Sequence, residues 1–78
     1  MLKLAYEIGK KEGNLGAVFN GADEQAVQLF LEKKISFLQI EESIEQDCKN
    51  AKYIENPTIE QLEASDAWAR KFVIEYWD

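Results

Sequence analysis

The sequence contains no histidine, and only one cysteine, one proline and one methionine in 78 residues. The usual ligands of a tetrahedral zinc site are therefore missing, as is the histidine of Ser-His and Cys-His catalytic pairs. A single cysteine cannot form an internal disulfide, which fits a reducing compartment and predicts a cytoplasmic protein. No apolar run approaches the roughly 20 residues of a membrane-spanning helix, and the start of the chain does not resemble a signal peptide.

The chain is acidic, with 9 basic and 15 acidic residues and a formal net charge of −6. Nucleic acids and anionic membranes bind basic surfaces, so we expect neither of them as a partner. A domain of this length buries only about 60% of the surface of its unfolded chain. We therefore expect residues 1–78 to form one domain with a modest core.

Apolar residues recur at helical spacing, and glutamate, lysine, alanine, leucine and glutamine are abundant. These features predict an all-α fold, a small four-helix bundle that forms a single helical domain over residues 1–78. The predicted helices cover about residues 2–12, 22–33, 37–51 and 59–76. On the last three, we expect the buried faces to carry Ala22, Ala26, Leu29 and Phe30; Phe37, Ile40, Ile44, Cys48 and Ala51; and Leu62, Ala69, Val73 and Tyr76.

Polar residues mark the predicted helix starts. Asn20 is the expected N-cap of the second helix, where Asp23 and Glu24 place negative charge in the first turn. Residues 14–16 precede it as a predicted loop. Two further starts have the spacing of a capping box, in which each side chain hydrogen-bonds the other residue's backbone N–H. These are Ser36 with Gln39, and Thr58 with Gln61.

No constellation of residues in the sequence predicts an active site. The four glycines match neither a dinucleotide fingerprint nor a phosphate-binding loop. The acids Glu41, Glu42, Glu45 and Asp47 are interpreted as a solvated helix face, because one exposed face cannot surround a hard cation. Cys48 falls on an apolar stripe and is interpreted as a structural thiol. We therefore assign no catalytic, cofactor-binding or metal-binding residue to this chain.

Two aromatic residues of the last helix lie to the side of its predicted buried face. Trp68 and Phe72 are separated by one helical turn, away from the face that Leu62 and Val73 define. Such residues either complete the core or form an interface with a partner. The sequence favours neither alternative over the other.

Three stretches of the chain together resemble a known family. They are Leu2 to Glu7; Ala17 to Val27, continued by Phe30-Leu31 and by Lys34 to Ile40; and Asn56 to Glu60, continued by Ala64 to Arg70. In order and spacing they are similar to the C-terminal helical domain of 1-deoxy-D-xylulose 5-phosphate reductoisomerase. The central stretch resembles the family motif A-V-L-N-A-A-N-E-x-A-V, and the closing stretch resembles A-D-A-W-A-R.

The central motif departs from the family pattern at three positions. Gly21 replaces the usual alanine, Asp23 the usual second asparagine and Phe19 the usual leucine. Asp23 keeps a short polar side chain but loses the amide donor of asparagine. From the resemblance, Asn20, Asp23 and Glu24 are carried over only as structural motif positions.

The resemblance implies that the chain is a non-catalytic part of a larger enzyme. In this family the parent enzyme is a homodimer that uses NADPH and Mg²⁺, Mn²⁺ or Co²⁺. It converts 1-deoxy-D-xylulose 5-phosphate to 2-C-methyl-D-erythritol 4-phosphate in the non-mevalonate route to isoprenoids. Its NADPH-binding and catalytic domains precede the helical domain, and they are the implied partners of this chain. No cofactor is therefore expected on residues 1–78.

Two alternatives remain beside this interpretation. A free-standing helical interaction module would bind a partner through Trp68 and Phe72. An acyl-carrier protein would have a comparable size and acidity, but its Asp-Ser-Leu attachment site has no match at Ser36, Ser43 or Ser65.

Overall fold

The computed structural model describes residues 13–78, which form three helices and contain no strand. Helix α1 spans Leu15–Leu31, α2 spans Phe37–Asn50 and α3 spans Ile59–Tyr76. The all-α prediction is confirmed. The predicted four-helix bundle is corrected to three helices over this range, and the first predicted helix, residues 2–12, lies outside the described residues. None of the described helices is long and apolar enough to cross a membrane.

Both predicted capping boxes are present, and they define the starts of α2 and α3. The Ser36 hydroxyl accepts a hydrogen bond from the Gln39 N–H at 3.3 Å, and the Gln39 side chain accepts one from the Ser36 N–H at 2.7 Å. Thr58 and Gln61 make the same reciprocal pair at 3.1 and 2.9 Å. Each pair satisfies two backbone donors that a helix start leaves free.

Helix α1 begins well before its predicted start. Asn20, Asp23 and Glu24 therefore lie within the helix, and the predicted N-cap and first-turn roles of these residues are wrong. The apolar stripe continues upstream through Leu15 and Val18, whose side chains are buried. Helix α1 contains Gly16 and Gly21, and each glycine inside a helix costs roughly 1 kcal/mol relative to alanine. The burial of Leu15 and Val18 offsets this cost.

The core forms where α1 packs against both other helices, most extensively against α3. Small residues let the two backbones approach closely: a Cβ atom at Gly21 would lie 2.7 Å from the Asp66 carbonyl oxygen and 3.3 Å from the Ala69 Cβ. The buried apolar cluster comprises Val18, Ala22, Ala26, Leu29, Ile35, Ile44, Ala69 and Val73.

Two residues predicted to be buried are exposed. Phe37 is 71% exposed because it is the first residue of α2, at the edge of the helix packing. Tyr76 is 40% exposed at the end of α3, where its hydroxyl donates to Glu42 Oε2 at 2.9 Å. The other residues of the predicted faces are buried or partly buried, and burial decreases toward the helix ends.

Candidate functional site

Arg70 of α3 pairs with two carboxylates, one on α1 and one on its own helix. Its Nη2 lies 2.6 Å from Glu24 Oε2, and its Nε donates to Asp66 Oδ2 at 2.9 Å. Hydrogen bonds to Asp66 and Glu24 raise the pKa of the guanidinium above its usual value. Because all three side chains remain partly exposed, both pairs contribute little to stability, and the Glu24 pair is the one that links α3 to α1.

The other two central motif positions lie beside this network. The Asn20 amide donates to Glu24 Oε1 at 3.5 Å, one helical turn away. Asp23 is partly buried and lines a surface groove of 470 Å³ together with Glu24 and Arg70. The motif therefore contributes to a helix contact, where the sequence predicted a helix start.

Asn14 forms a buried polar bridge that the sequence interpretation missed. Its side-chain nitrogen donates to the Lys52 carbonyl oxygen at 2.8 Å and to Ser65 Oγ at 3.0 Å, while its side-chain oxygen accepts from the Ile54 N–H at 2.7 Å. Asn14 is 1% exposed. It thus ties the α2–α3 connection and α3 to the start of α1. Gly13 and Gly16 lie close to Asn14 and favour a loop, so the local sequence does not indicate this buried role.

Trp68, Phe72 and Tyr76 form a row along α3, called here the aromatic row. The ring centroids are 5.3 Å apart for Trp68 and Phe72, and 6.0 Å apart for Phe72 and Tyr76. Trp68 and Tyr76 are each 40% exposed, and Phe72 is partly buried. Aromatic rings that remain exposed in a row are typical of contact surfaces. Trp68 also lines an adjacent groove of 360 Å³.

Hydrogen bonds connect the C-terminal end of the aromatic row to α2. The Trp77 indole N–H donates to Ser43 Oγ at 2.6 Å, and the Trp77 and Tyr76 ring centroids are 4.8 Å apart. The hydrogen bond to Glu42 also raises the pKa of the Tyr76 phenol. These contacts hold Tyr76, the last residue of the aromatic row, against α2.

Among residues 13–78, Asp47 is the one carboxylate that is fully buried. It is fully buried on α2, and no residue in the described range 13–78 donates a hydrogen bond to either carboxylate oxygen. Burial raises the pKa of Asp47 to about 7. The prediction of a solvated acidic face is therefore wrong for this residue, although Glu41 and Glu42 are exposed.

Cys48 has the properties of an unreactive thiol. Burial and the neighbouring Asp47 charge raise its pKa to about 11, so the nucleophilic thiolate is scarce at neutral pH. Within residues 13–78, no three histidine, cysteine or carboxylate side chains are grouped so that they could hold a metal ion.

Comparison with known proteins gives a match over almost the whole chain. The family model for the DXP reductoisomerase C-terminal domain matches residues 1–72. A 1-deoxy-D-xylulose 5-phosphate reductoisomerase from Exiguobacterium sibiricum is 47% identical over 73 residues, which are 94% of this chain and 19% of the relative. Proteins of the same name from Cyanothece sp. and Bacillus cereus are 45% and 43% identical, and the matched regions cover 94% and 95% of this chain and 19% and 20% of those relatives.

The chain thus spans about a fifth of the length of these curated relatives. No solved structure gave a significant match.

Proposed function

Because the chain belongs to the family of DXP reductoisomerase C-terminal domains, we propose that it is the structural helical domain of an NADPH-dependent reductoisomerase. The parent converts 1-deoxy-D-xylulose 5-phosphate to 2-C-methyl-D-erythritol 4-phosphate, a step of non-mevalonate isoprenoid biosynthesis. It works as a cytoplasmic homodimer and uses Mg²⁺, Mn²⁺ or Co²⁺. The observation that carries this proposal is the family match over residues 1–72.

The catalytic groups belong to the remaining part of the parent. The described residues do not fit the implied metal, because their carboxylates are scattered or already engaged, as Glu24 and Asp66 are with Arg70. NADPH would supply the hydride at a site formed by that remaining part. The role left for the chain is to pack against the NADPH-binding and catalytic domains and to support them.

The aromatic row is the proposed contact with those domains. Trp68 and Phe72 pack against each other with their ring centroids 5.3 Å apart, and this contact limits the conformational entropy that is lost when a partner covers them. Burial of an aromatic side chain at an interface removes a large apolar area from water. Trp68 and Phe72 therefore stabilise the parent without taking part in its reaction.

A domain graft tests the proposed function. Residues 1–78 replace the C-terminal fifth of the Exiguobacterium sibiricum enzyme, and NADPH oxidation is measured with 1-deoxy-D-xylulose 5-phosphate and Mg²⁺. We expect an active graft and no NADPH binding by the isolated chain in a fluorescence titration. An inactive graft, or micromolar NADPH binding by the isolated chain, would contradict the proposal. An inactive graft would favour the free-standing interaction module.

A variant pair tests the aromatic row in the same graft. Trp68→Ala with Phe72→Ala should lower the melting temperature of the graft more than that of the isolated chain, because partner contacts are lost as well. Ile74→Ala is the matched control, since Ile74 lies on the same helix and is 47% exposed. If the double variant lowers the melting temperature equally in the graft and in the isolated chain, Trp68 and Phe72 belong to the core alone.

A further inference from the structure

Helix α2 has the most polar buried face of the three described helices. Its buried residues are Ser43, Ile44 and Asp47, and Ile44 is the one apolar residue among them. The buried side chains of α1, by contrast, are all apolar. Burial of apolar surface supplies most of the free energy that holds a helix in a domain. We therefore expect α2 to be held less strongly than α1.

The other two helices hold each other without help from α2. Gly21 of α1 lies against Asp66 and Ala69 of α3, and Glu24 of α1 pairs with Arg70 of α3. The packing of α1 against α3 is more extensive than that of α2 against either helix. Parts of a domain open in order of their local stability, and the least stable part opens first. Helix α2 is thus the part that can separate while α1 and α3 remain packed.

The Asp47 carboxylate lies on the buried face of α2, and its charge state affects how well this face packs. Neither carboxylate oxygen accepts a hydrogen bond within residues 13–78. A protonated carboxyl group can remain there at moderate cost, whereas an ionised one loses its hydration and gains no partner. Separation of α2 from the core returns water to the carboxylate. Ionisation of Asp47 and opening of α2 therefore favour each other.

Charged neighbours do not offset the cost of an ionised Asp47. Burial raises the pKa of Asp47, and no charged group within residues 13–78 contributes to the shift. Besides Asp47, the charged side chains of the three helices that are partly buried are Asp23 on α1, Glu45 on α2, and Asp66 and Arg70 on α3. Glu45 pairs with Lys49, and Asp66 pairs with Arg70. Burial and the Asp47 charge together raise the pKa of the adjacent Cys48 thiol.

We propose that α2 opens locally from the α1–α3 pair when Asp47 loses its proton, so that the domain contains a pH-sensitive switch. The proton passes to water, and water solvates the carboxylate in the open state. Opening breaks the hydrogen bonds from Tyr76 to Glu42 and from Trp77 to Ser43, which connect α3 to α2. It also brings Cys48 into contact with solvent. The switch belongs to this chain alone and does not depend on the proposed function.

Cys48 is the single thiol of the chain, so its reaction with a disulfide reagent reports the opening. The rate in the native chain is divided by the rate in the urea-unfolded chain at the same pH, and this ratio measures the open fraction. Because the pKa of Asp47 is about 7 in the folded chain and 3.8 for a solvated carboxyl, the open fraction should rise roughly tenfold from about pH 6 to about pH 8. Asp47→Asn should remove this rise. Glu63→Gln, which removes an exposed charge of α3, should leave it unchanged.

The dependence on urea separates local opening from complete unfolding. Local opening exposes little surface, so low urea concentrations should change the Cys48 rate only slightly. The rate should also exceed the one that the free energy of global unfolding permits. A Cys48 rate that follows global unfolding at every urea concentration would overturn the local opening. An open fraction of the wild type that does not change with pH would overturn the role of Asp47, and this measurement needs no variant. An equal rise in Asp47→Asn would overturn that role as well.

Discussion

Replacement of Asp47 by asparagine should remove a pH-dependent loss of stability. The Asp47 carboxylate is fully buried, and burial raises its pKa from 3.8 to about 7. In the unfolded chain it ionises near pH 4, but in the folded chain it holds its proton until pH approaches 7. The contribution of the protonated Asp47 carboxyl to the free energy of unfolding is therefore fully present below the pKa of the unfolded chain. It is lost as the pH rises through the pKa of the folded chain. Asparagine has no such titration.

The magnitude follows from the difference between the two pKa values of Asp47. About three pKa units, at 1.36 kcal/mol each, correspond to roughly 4 kcal/mol of lost stability above pH 7. The isoelectric point near 4.6 makes the lower end of this range unsuitable for measurement. Between about pH 5.5 and pH 8, the same linkage predicts a loss of roughly 2 kcal/mol. Small domains have only about 5–15 kcal/mol in total, so the effect is large.

Urea denaturation followed by far-ultraviolet circular dichroism measures this difference. The free energy of unfolding of Asp47→Asn, minus that of the wild type, should increase by roughly 2 kcal/mol from about pH 5.5 to pH 8. Any constant cost of a buried amide cancels in this comparison. Glu63→Gln, at an exposed position of α3, removes the same charge as a control. Parallel pH profiles for wild type and Asp47→Asn would show that Asp47 is ionised in the folded protein.

Three further predictions concern the caps, the helix crossing and the thiol. Thr58→Ala should lower stability by about 1 kcal/mol and the melting temperature by roughly 4–8 °C, because the α3 capping box is lost; an unchanged melting curve would count against it. Gly21→Ala should lower stability by about 1–3 kcal/mol, because its Cβ would meet the Asp66 carbonyl oxygen; an increase measured by urea denaturation would contradict the close crossing. Cys48 should react with a thiol reagent at neutral pH much more slowly than in the urea-unfolded chain, and equal rates would refute its protection.

Features that depend on neighbouring residues were predictable from the sequence. The capping boxes at Ser36 and Thr58 were located correctly because each needs only residues within one turn. The start of α1 was not predictable from neighbouring residues, because Leu15 and Val18 become helical through burial against the rest of the chain. Glycines suggested a loop there, and tertiary packing overrode that local preference.

Buried polar residues were the least predictable part of the candidate site. The hydrogen-bond partners of Asn14 are Lys52, Ile54 and Ser65. They lie far along the sequence, so no local pattern predicts them. Asp47 did carry a signal, because it follows the buried Ile44 by three residues and so falls on the same helix face. The charge of Asp47 favours an exposed position, and the packing of α2 overrides this preference.

The two motif stretches that identify the family meet at one helix crossing. Gly21, from the central stretch, lies directly beneath Asp66 of the closing stretch, and Glu24 pairs with Arg70 of the same closing stretch. Asp66 then holds Arg70 from its own helix. These residues fix how α1 crosses α3, and the crossing in turn sets the direction in which α3 presents the aromatic row. The two stretches of sequence that are typical of this family therefore specify the geometry of a helix crossing.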